Sequence, residues 1–479
     1  MKRISVLSAL FLCAACAVSP LHRSEAHNQN RLPADETKPG LSLLFVSDIH
    51  FNPLTDSSIV PSLISSPASQ WESIFSKAKN HSLNRYGTDT DYSLLKSAMA
   101  AMKAKLPQPD LIVISGDFVA HKFQRQFHQI VPHSTHRDYA QFFNKTEQYL
   151  AFEFIKEFPR VEILPVLGNN DSPCGDYMSQ PDGAYLRVFA QAWQPAVNRL
   201  GGAPHFVAQF SKDGYYSALI REKNTVLRVV ALNDDFWMSH YKNKCGVTAY
   251  NAGPSELNWL NQTLRMSSKH NEPVWLITHG PAGIDLVSTM YFHPNFCRDH
   301  LFSMVYKEPY NSQFVGLVDQ NQNNIRLMLA GHTHMNEFRV YGAEGDAPVA
   351  QLVAPSVSPI FKNNPSFDVL SVAPDTFSVR DVKTYSLNLA AADADSQTPV
   401  QPWVRTSDLD QNFQIRNASG RSLYRLKQEL KSNNKLFSSY SVRFMSGSAF
   451  PGFAMRNPPA YACSLSHFTV QGFSTCYCK

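Results

Sequence analysis

Five short apolar runs in this chain each stop at a side chain able to bind a metal ion, and that coincidence constrains the fold more than any other feature. Leu43 to Val46 runs into Ser47-Asp48-Ile49-His50, and Leu111 to Ile114 into Ser115-Gly116-Asp117. Ile163 to Leu167 meets Gly168-Asn169-Asn170-Asp171, Val274 to Ile277 meets Thr278-His279, and Ile325 to Ala330 meets Gly331-His332-Thr333-His334. Short continuous runs rich in β-branched residues read as strands buried on both faces. Helical periodicity falls between them, at 93–105, 146–158, 185–197 and 255–269. The last of these has Ser255 as its expected cap and Leu257, Leu260 and Leu264 on one face. Strand–helix alternation predicts α/β layers. Ligands of open α/β sheets gather outside the carboxyl ends of the strands, so these distant side chains can converge. Asp48 and His50, two apart on an extended segment, are expected on one side of the chain, and His332 and His334 repeat that spacing.

Composition decides what surrounds this core. With 43% apolar and 17% charged residues, the 479-residue chain can bury a large interior. A net charge of +5 with scattered Lys and Arg offers no nucleic-acid platform. No apolar stretch reaches the roughly 20 residues of a transmembrane span. Residues 1–26 read as a signal peptide: Lys2 and Arg3 precede an apolar Ile4 to Val18, and Ser24-Glu25-Ala26 supplies small residues for cleavage. Export would make the protein secreted, periplasmic or lysosomal. Cys13-Ala14-Ala15-Cys16 has the outline of a lipoprotein box, but Cys13 stands where Leu is usual, which argues against anchoring through Cys16. In an oxidising compartment Cys174, Cys245, Cys297, Cys463, Cys476 and Cys478 suffice for three disulfides, with the connectivity open. Asn80, Asn144, Asn261 and Asn417 each open an Asn-X-Ser/Thr triplet.

Past Glu337 the pattern changes to strands without helices: Phe338–Tyr341, Val349–Val353, Phe367–Val372 and Phe377–Leu387. The expected plan is a catalytic domain over 41–388 and an exposed linker over 389–411. A small Cys-bearing extension over 412–479 follows, with a helix near 420–432.

Taken singly, each strand-end fragment reads as a turn or a hydrogen-bonded surface group. Together and in this order, they resemble the calcineurin-like metallophosphoesterases, whose five-block signature is matched from Asp48 to His334. The resemblance implies a four-layer α/β/β/α sandwich with two divalent cations. One would take Asp48, His50, Asp117 and His334; the other would take Asp117, Asn169, His279 and His332, with Asp117 bridging. Imidazole and carboxylate ligands suit Zn²⁺, with Mn or Fe as alternatives, and a neutral Asn limits charge that would repel a phosphate. Two ions about 3.5–4 Å apart can generate a bridging hydroxide for in-line attack on a phosphoryl group.

Three further segments narrow the resemblance to the acid sphingomyelinase-like phosphodiesterases. Gly116 to His121 places a histidine four residues past the bridging Asp. Tyr86-Gly87 with Asp91 is similar to a segment ahead of the second block, although the subgroup's usual Cys is absent. Ala354 to Pro359 followed by Asn364-Pro365-Ser366-Phe367 resembles the closing segment. Purple acid phosphatases fit worse, since their iron-binding Tyr would fall at Ala120.

One departure bears on mechanism. Many relatives carry His where this chain has Asn170, which can donate hydrogen bonds to phosphate but cannot serve as an acid. His121 is then the expected catalytic acid, while His128, His133 and His136 read as ordinary loop residues. Asp171 is expected to orient Asn170 or a ligand, and Asn233, Asp234 and Asp235 to form a turn. The short stretch 27–40 leaves no room for a saposin-type domain. This favours soluble phosphodiesters, nucleotides or phosphocholine-type head groups over bilayer lipid. Phe437, Phe444 and Phe450 are the candidates for any lipid contact, with core packing as the plainer reading. The Gly-Asn-Asn-Asp form also resembles endopolyphosphatases, so polyphosphate or monoester hydrolysis is the alternative. A non-catalytic binding protein on this fold fits less well, because all seven expected ligand positions are filled.

Overall fold

The computed structural model describes residues 40–78, 83–222, 225–242, 251–342, 347–394 and 402–478. The expected signal peptide with Cys13 and Cys16, and also Asn80 and Cys245, lie outside them. The strands in chain order are β1 (Leu41–Val46), β2 (Leu111–Ile114), β3 (Glu162–Pro165), β4 (Tyr216–Glu222), β5 (Thr225–Ala231) and β6 (Val274–Ile277). They continue with β7 (Ile325–Ala330), β8 (Glu337–Tyr341), β9 (Val349–Val353), β10 (Ser366–Val372), β11 (Val379–Ser386) and β12 (Val404–Asp408).

Two six-stranded sheets result, in the orders β12-β11-β10-β1-β2-β3 and β4-β5-β6-β7-β9-β8. In each, the strands that carry the metal-type residues are parallel: β1 to β2 and β2 to β3 in the first, β6 to β7 in the second. Their carboxyl ends therefore open on one side of each sheet. The second sheet shows how a continuous apolar run serves two layers. In β6, Trp275 and Ile277 pack into the core shared with β1 and β2, and in β7 Leu327 and Leu329 do the same. Val274, Leu276 and Met328 point the other way, against Leu257, Leu260 and Leu264 of helix Ala252–Lys269 and Phe314 of helix Tyr310–Gln320. Period-two alternation, with both faces covered, is the reason these strands are apolar apart from the exposed Arg326 near the start of β7.

Helix boundaries follow local chemistry more closely than apolar periodicity. The helix expected over 146–158 begins at His136, because Thr135 and Asp138 form a capping box that satisfies the first turn, and Tyr139, Phe142 and Phe143 extend the buried face. Ser255 lies inside its helix, which starts at Ala252, and is no cap.

The stretch expected as an exposed linker is structured where it is described. Leu389–Ala394 is helical, β12 adds an antiparallel edge to β11, and Trp403 is buried. A polar five-residue edge strand needs apolar partners on only one side, so composition concealed it. The C-terminal region adds helices Gly420–Ser432, Asn434–Phe444, Pro458–Ser464 and Val470–Tyr477. It packs onto the β8 and β9 edge: Val340 N–H donates to Leu465 O at 2.8 Å, and Phe468 stacks on Tyr341 at 4.1 Å. Disulfides join Cys297 to Cys478 and Cys463 to Cys476. Phe437 and Phe444 belong to the core, which leaves Phe450 as the partly exposed member of that trio. Among the described residues no helix is long and apolar enough to cross a membrane.

Candidate metal centre

Asp48, His50, Asp117, His332 and His334 all have positive φ, between 44° and 70°. Left-handed backbone at non-glycine residues costs energy and concentrates at functional sites. It also corrects the expected geometry. Asp48 and His50 do not share a side because their segment is extended. They meet because the chain turns sharply at each of them, tied down by Asp48 N–H to Gly116 O and His50 N–H to Asp117 O. Room for the turns comes from glycine. A Cβ on Gly116 would sit 2.8 Å from His279 Nδ1 and 2.6 Å from Gly168 N, and one on Gly331 would overlap Ser47 Oγ.

The side chains of the first expected set converge. Ligand atoms of Asp48, His50, Asp117 and His334 all lie within 4.8 Å of one another, fully buried. His50 Nε2 is 3.1 Å from His334 Nε2 and 3.3 Å from Asp117 Oδ2. Asp48 Oδ1 has no hydrogen-bond partner although it is buried, and His334 Nε2 lies 3.3 Å from it. Of the second expected set, Asp117, Asn169 and His279 meet: His279 Nε2 is 3.0 Å from Asn169 Oδ1 and 3.4 Å from Asp117 Oδ2. His332 stands edge-on to His279 with ring centroids 5.0 Å apart, and its N–H donates to Asp48 Oδ2.

Proton positions explain what this arrangement fits. His50 Nδ1 faces the carbonyl of Val119, and His279 Nδ1 that of Ser115, so both donate there and turn the Nε2 lone pair into the cluster. Asn169 donates its Nδ2 to Asp176, which fixes its oxygen towards His279. Lone pairs thus confront lone pairs at His279–Asn169 and at His50–Asp117, an arrangement that divalent cations satisfy. Without a cation, protons fill part of that role. Burial works against charging His279, but the Asp117 carboxylate outweighs it and raises the imidazole to about 10. His50 is raised as well, against its burial, by Asp117. Asp117 itself falls well below the carboxylate range because His279 and His50 outweigh its burial. Burial and the charge on His279 lower His332 to about 4, and burial with His50 and His121 lowers His334 to about 3.

Supporting groups hold the ligands. The buried Asp171 carboxylate accepts the N–H groups of Asp117, Phe118 and Gly168 at 2.8 Å each, so it orients the loop that carries Asp117. Burial and Asp117 push it up to about 7 while those donors pull it down. Asn170 is turned onto Asp117, donating from its backbone at 2.8 Å and from Nδ2 at 3.0 Å. Asp234 does lie at a turn, yet its carboxylate accepts from His279 N–H and Gly280 N–H at 2.7 Å and from Tyr306. Sequence reasoning missed that role, because nothing in a polar run after β5 marks one carboxylate as inward.

His121 stacks on His50 at 3.9 Å and lies 5.8 Å from His334, at the edge of the cluster. Its Nδ1 donates to Asp89 Oδ1 at 2.9 Å, and its backbone N–H to Asp89 Oδ2. Asp89 is a second residue that the sequence did not reveal. Asp91, which was singled out instead, caps helix Tyr92–Lys105 through Leu94 N–H. Burial raises Asp89, but the hydrogen bond from His121 and the charge on His50 bring it below its usual value. His128 bonds Ser134 and, with His133 and His136, joins no ligand cluster among the described residues.

The sequence matches the family model of the calcineurin-like phosphoesterases over residues 41–336. It is 25% identical over 375 residues to acid sphingomyelinase-like phosphodiesterase 3b of Mus musculus, covering 74% of this chain and 73% of that protein. It is 24% identical over 424 residues to sphingomyelinase phosphodiesterase C of Dictyostelium discoideum, covering 85% and 86%. With the cyclic GMP-AMP phosphodiesterase SMPDL3A of Homo sapiens the identity is 26% over 300 residues, covering 59% and 61%.

Proposed function

The chain belongs to the calcineurin-like phosphoesterase family of metal-dependent hydrolases, and on that premise we propose that it is an exported phosphodiesterase working with two divalent cations, Zn²⁺ by the chemistry of its ligands. The observation that carries this reading is the confrontation of acceptors at His279 Nε2, Asn169 Oδ1 and Asp117 Oδ2, beside the unpaired Asp48 Oδ1. Two positive charges would relieve both. Asp48, His50, Asp117 and His334 would hold one cation, and Asp117, Asn169, His279 and His332 the other. When bound, the cations would supply an acidified water and offset the charge of the phosphoryl oxygens.

The chain's own residues would do the rest. Asp171 keeps the Asp117 backbone in place and Asn170 its carboxylate, so Asn170 is a positioning group and moves no proton. With Nδ1–H held by Asp89, His121 offers Nε2 to the departing oxygen, and the carboxylate stabilises the imidazolium that donates the proton. Small phosphodiesters, nucleotides among them, are the substrate class, in line with the phosphodiesterase activities for which the relatives are named. The Cys297–Cys478 and Cys463–Cys476 disulfides support an oxidising compartment outside the cytosol.

The test is chelator-stripped protein reloaded with Zn²⁺ or Mn²⁺, assayed on bis-p-nitrophenyl phosphate and p-nitrophenyl phosphate. Metal-dependent turnover favouring the diester, abolished in folded Asp117→Ala and His332→Ala, is the expected result. Preference for the monoester, or cleavage of polyphosphate alone, would overturn it in favour of phosphatase or endopolyphosphatase chemistry.

A further inference from the structure

Two segments that resemble the sphingomyelinase-like subgroup have no part in holding metal, yet they pack against each other beside the centre. Gly87 N–H donates to Pro359 O at 3.1 Å, and Tyr86 bonds Asn364. The loop 354–364 hangs on the ligands themselves. Ser356 N–H donates to His334 O, Ser358 N–H to Asp48 O, and Ser358 Oγ to Asp89. From within, the buried Asn363 amide ties Ser356 Oγ to Ser358 O. A turn closed by Lys362 N–H to Pro359 O, with Lys362 at φ 67°, brings Phe361 to the tip.

Phe361 is out of place for a core residue and too well held for a stray one. Its side chain is 53% exposed. Its ring stands at 72° to His334, with centroids 4.6 Å apart, and at 77° to His121, 6.2 Å away. An apolar ring is thus half open to water on a rigid loop, directly against one metal-type histidine and the expected acid. The surroundings discriminate between ligands. A quaternary ammonium group is bound best by several aromatic faces, whereas the ring partners of Phe361 are the His334 and His121 imidazoles, and the Lys362 ammonium, next in the chain, lies over Phe450 at 5.1 Å. A planar nucleobase needs only one face to stack on and is not repelled by a cation.

We propose that Phe361 is a specificity-determining platform on which the base of a nucleoside phosphodiester stacks, with Lys362 beside it. The proposal rests on the phosphodiesterase reading above and names the substrate class of that site.

The experiment compares metal-reloaded wild type with Phe361→Ala, Phe361→Leu and Phe361→Trp on two esters that share a leaving group: thymidine 5′-(p-nitrophenyl phosphate) and methyl p-nitrophenyl phosphate. Losing one base–aromatic stack should lower the thymidine-to-methyl preference in kcat/KM about tenfold, through KM. The Ala and Leu variants should show this loss and the Trp variant should restore the preference. Equal losses on both esters would overturn the proposal, leaving Phe361 as a prop for His334. A larger loss on p-nitrophenylphosphorylcholine than on the thymidine ester would overturn it too. If wild type cleaves neither ester, the phosphodiesterase reading fails, and calorimetric binding of thymidine 5′-phosphate still decides the platform. About tenfold weaker binding in Phe361→Ala, with inorganic phosphate binding retained, supports it; equal binding of the nucleotide refutes it. Thermal melts confirm that each variant is folded.

Discussion

Asp171 holds Asp117 by its backbone: one carboxylate oxygen accepts the Asp117 N–H at 2.8 Å, and the other accepts the next N–H along the chain at the same distance. The first oxygen also takes Gly168 N–H. Asparagine would keep a single acceptor and turn an amide against the remaining donors. Asp171→Asn should therefore weaken metal binding roughly 10- to 100-fold, as for other residues that orient ligands. It should also cost about 1–3 kcal/mol from buried N–H groups left unpaired. Metal titration and melting check the two effects separately, and unchanged metal affinity would show that Asp117 needs no such support.

The Asp89–His121 pair makes a claim about leaving groups. Asp89→Asn retains the size of the side chain but not the charge that steadies a protonated His121. A general acid matters most when the departing oxygen is a poor leaving group, where its removal costs about 10²-fold or more. The expected result is a large kcat loss on dialkyl or nucleoside phosphodiesters and little loss on p-nitrophenyl esters, whose phenolate leaves unaided. Equal losses on both would assign His121 to phosphate binding instead.

Asp89 and Asp234, the carboxylates behind His121 and His279, mark where sequence reasoning stops. The convergence of the candidate ligands was legible because each follows a buried apolar run, and a parallel strand delivers its last residue to a known edge of the sheet. Asp89 follows no such run, and Asp234, although it follows the buried run Val229 to Leu232 at the end of β5, sits in a polar triplet in which nothing marks one carboxylate as inward. Asp89 is placed by a loop folded around Asn84, whose side chain bonds Asp89 O and Asp91 N–H. Asp234 is placed by a turn that any polar triplet could make. The extended-strand argument for Asp48 and His50 reached the right neighbours by the wrong route, since both have left-handed backbone. Likewise β12 escaped notice because Val404-Arg405-Thr406-Ser407-Asp408 pairs on one side only.

The electrostatics of the centre predict a pH profile that metal should reshape. In the metal-free fold His279 keeps its proton to about 10, against 6.5 for an ordinary imidazole. Its stabilising contribution is complete below pH 6.5 and is lost as pH rises to 10. Asp171, raised from 3.8 to about 7, acts in the same direction over the lower range. Asp117, held low, contributes above its unfolded value of 3.8 and loses that contribution as pH falls. Below pH 6.5 the lowered His332 and His334 oppose Asp171, so stripped protein should melt at progressively lower temperature from about pH 6.5 to pH 10. Reloading with Zn²⁺ should flatten the part above pH 6.5 and release protons into a weakly buffered solution, because the cation displaces the His279 proton. A flat metal-free profile above pH 6.5, or loading without proton release, would show that His279 is already neutral.

Cys297 and Cys478 close a loop of 181 residues, whereas Cys463 and Cys476 close one of 13. The longer bridge holds helix Val470–Tyr477 against the second sheet's flank, where Phe473 packs 5.8 Å from Phe302 and Tyr477 stacks 5.8 Å from Phe296. Chain-entropy arguments assign more stabilisation to the larger loop, and native bridges of this kind are worth about 2–5 kcal/mol. None of these residues touches the metal ligands. A Cys297→Ser/Cys478→Ser protein should lose that stability and expose its terminal helix to proteolysis, while binding its full complement of metal at 25 °C. The Cys463→Ser/Cys476→Ser protein should lose less. If breaking the longer bridge also empties the centre of metal, then the terminal helices do more than close the edge of the sheet: they hold the β8 and β9 segments, and through them His332 and His334, in register.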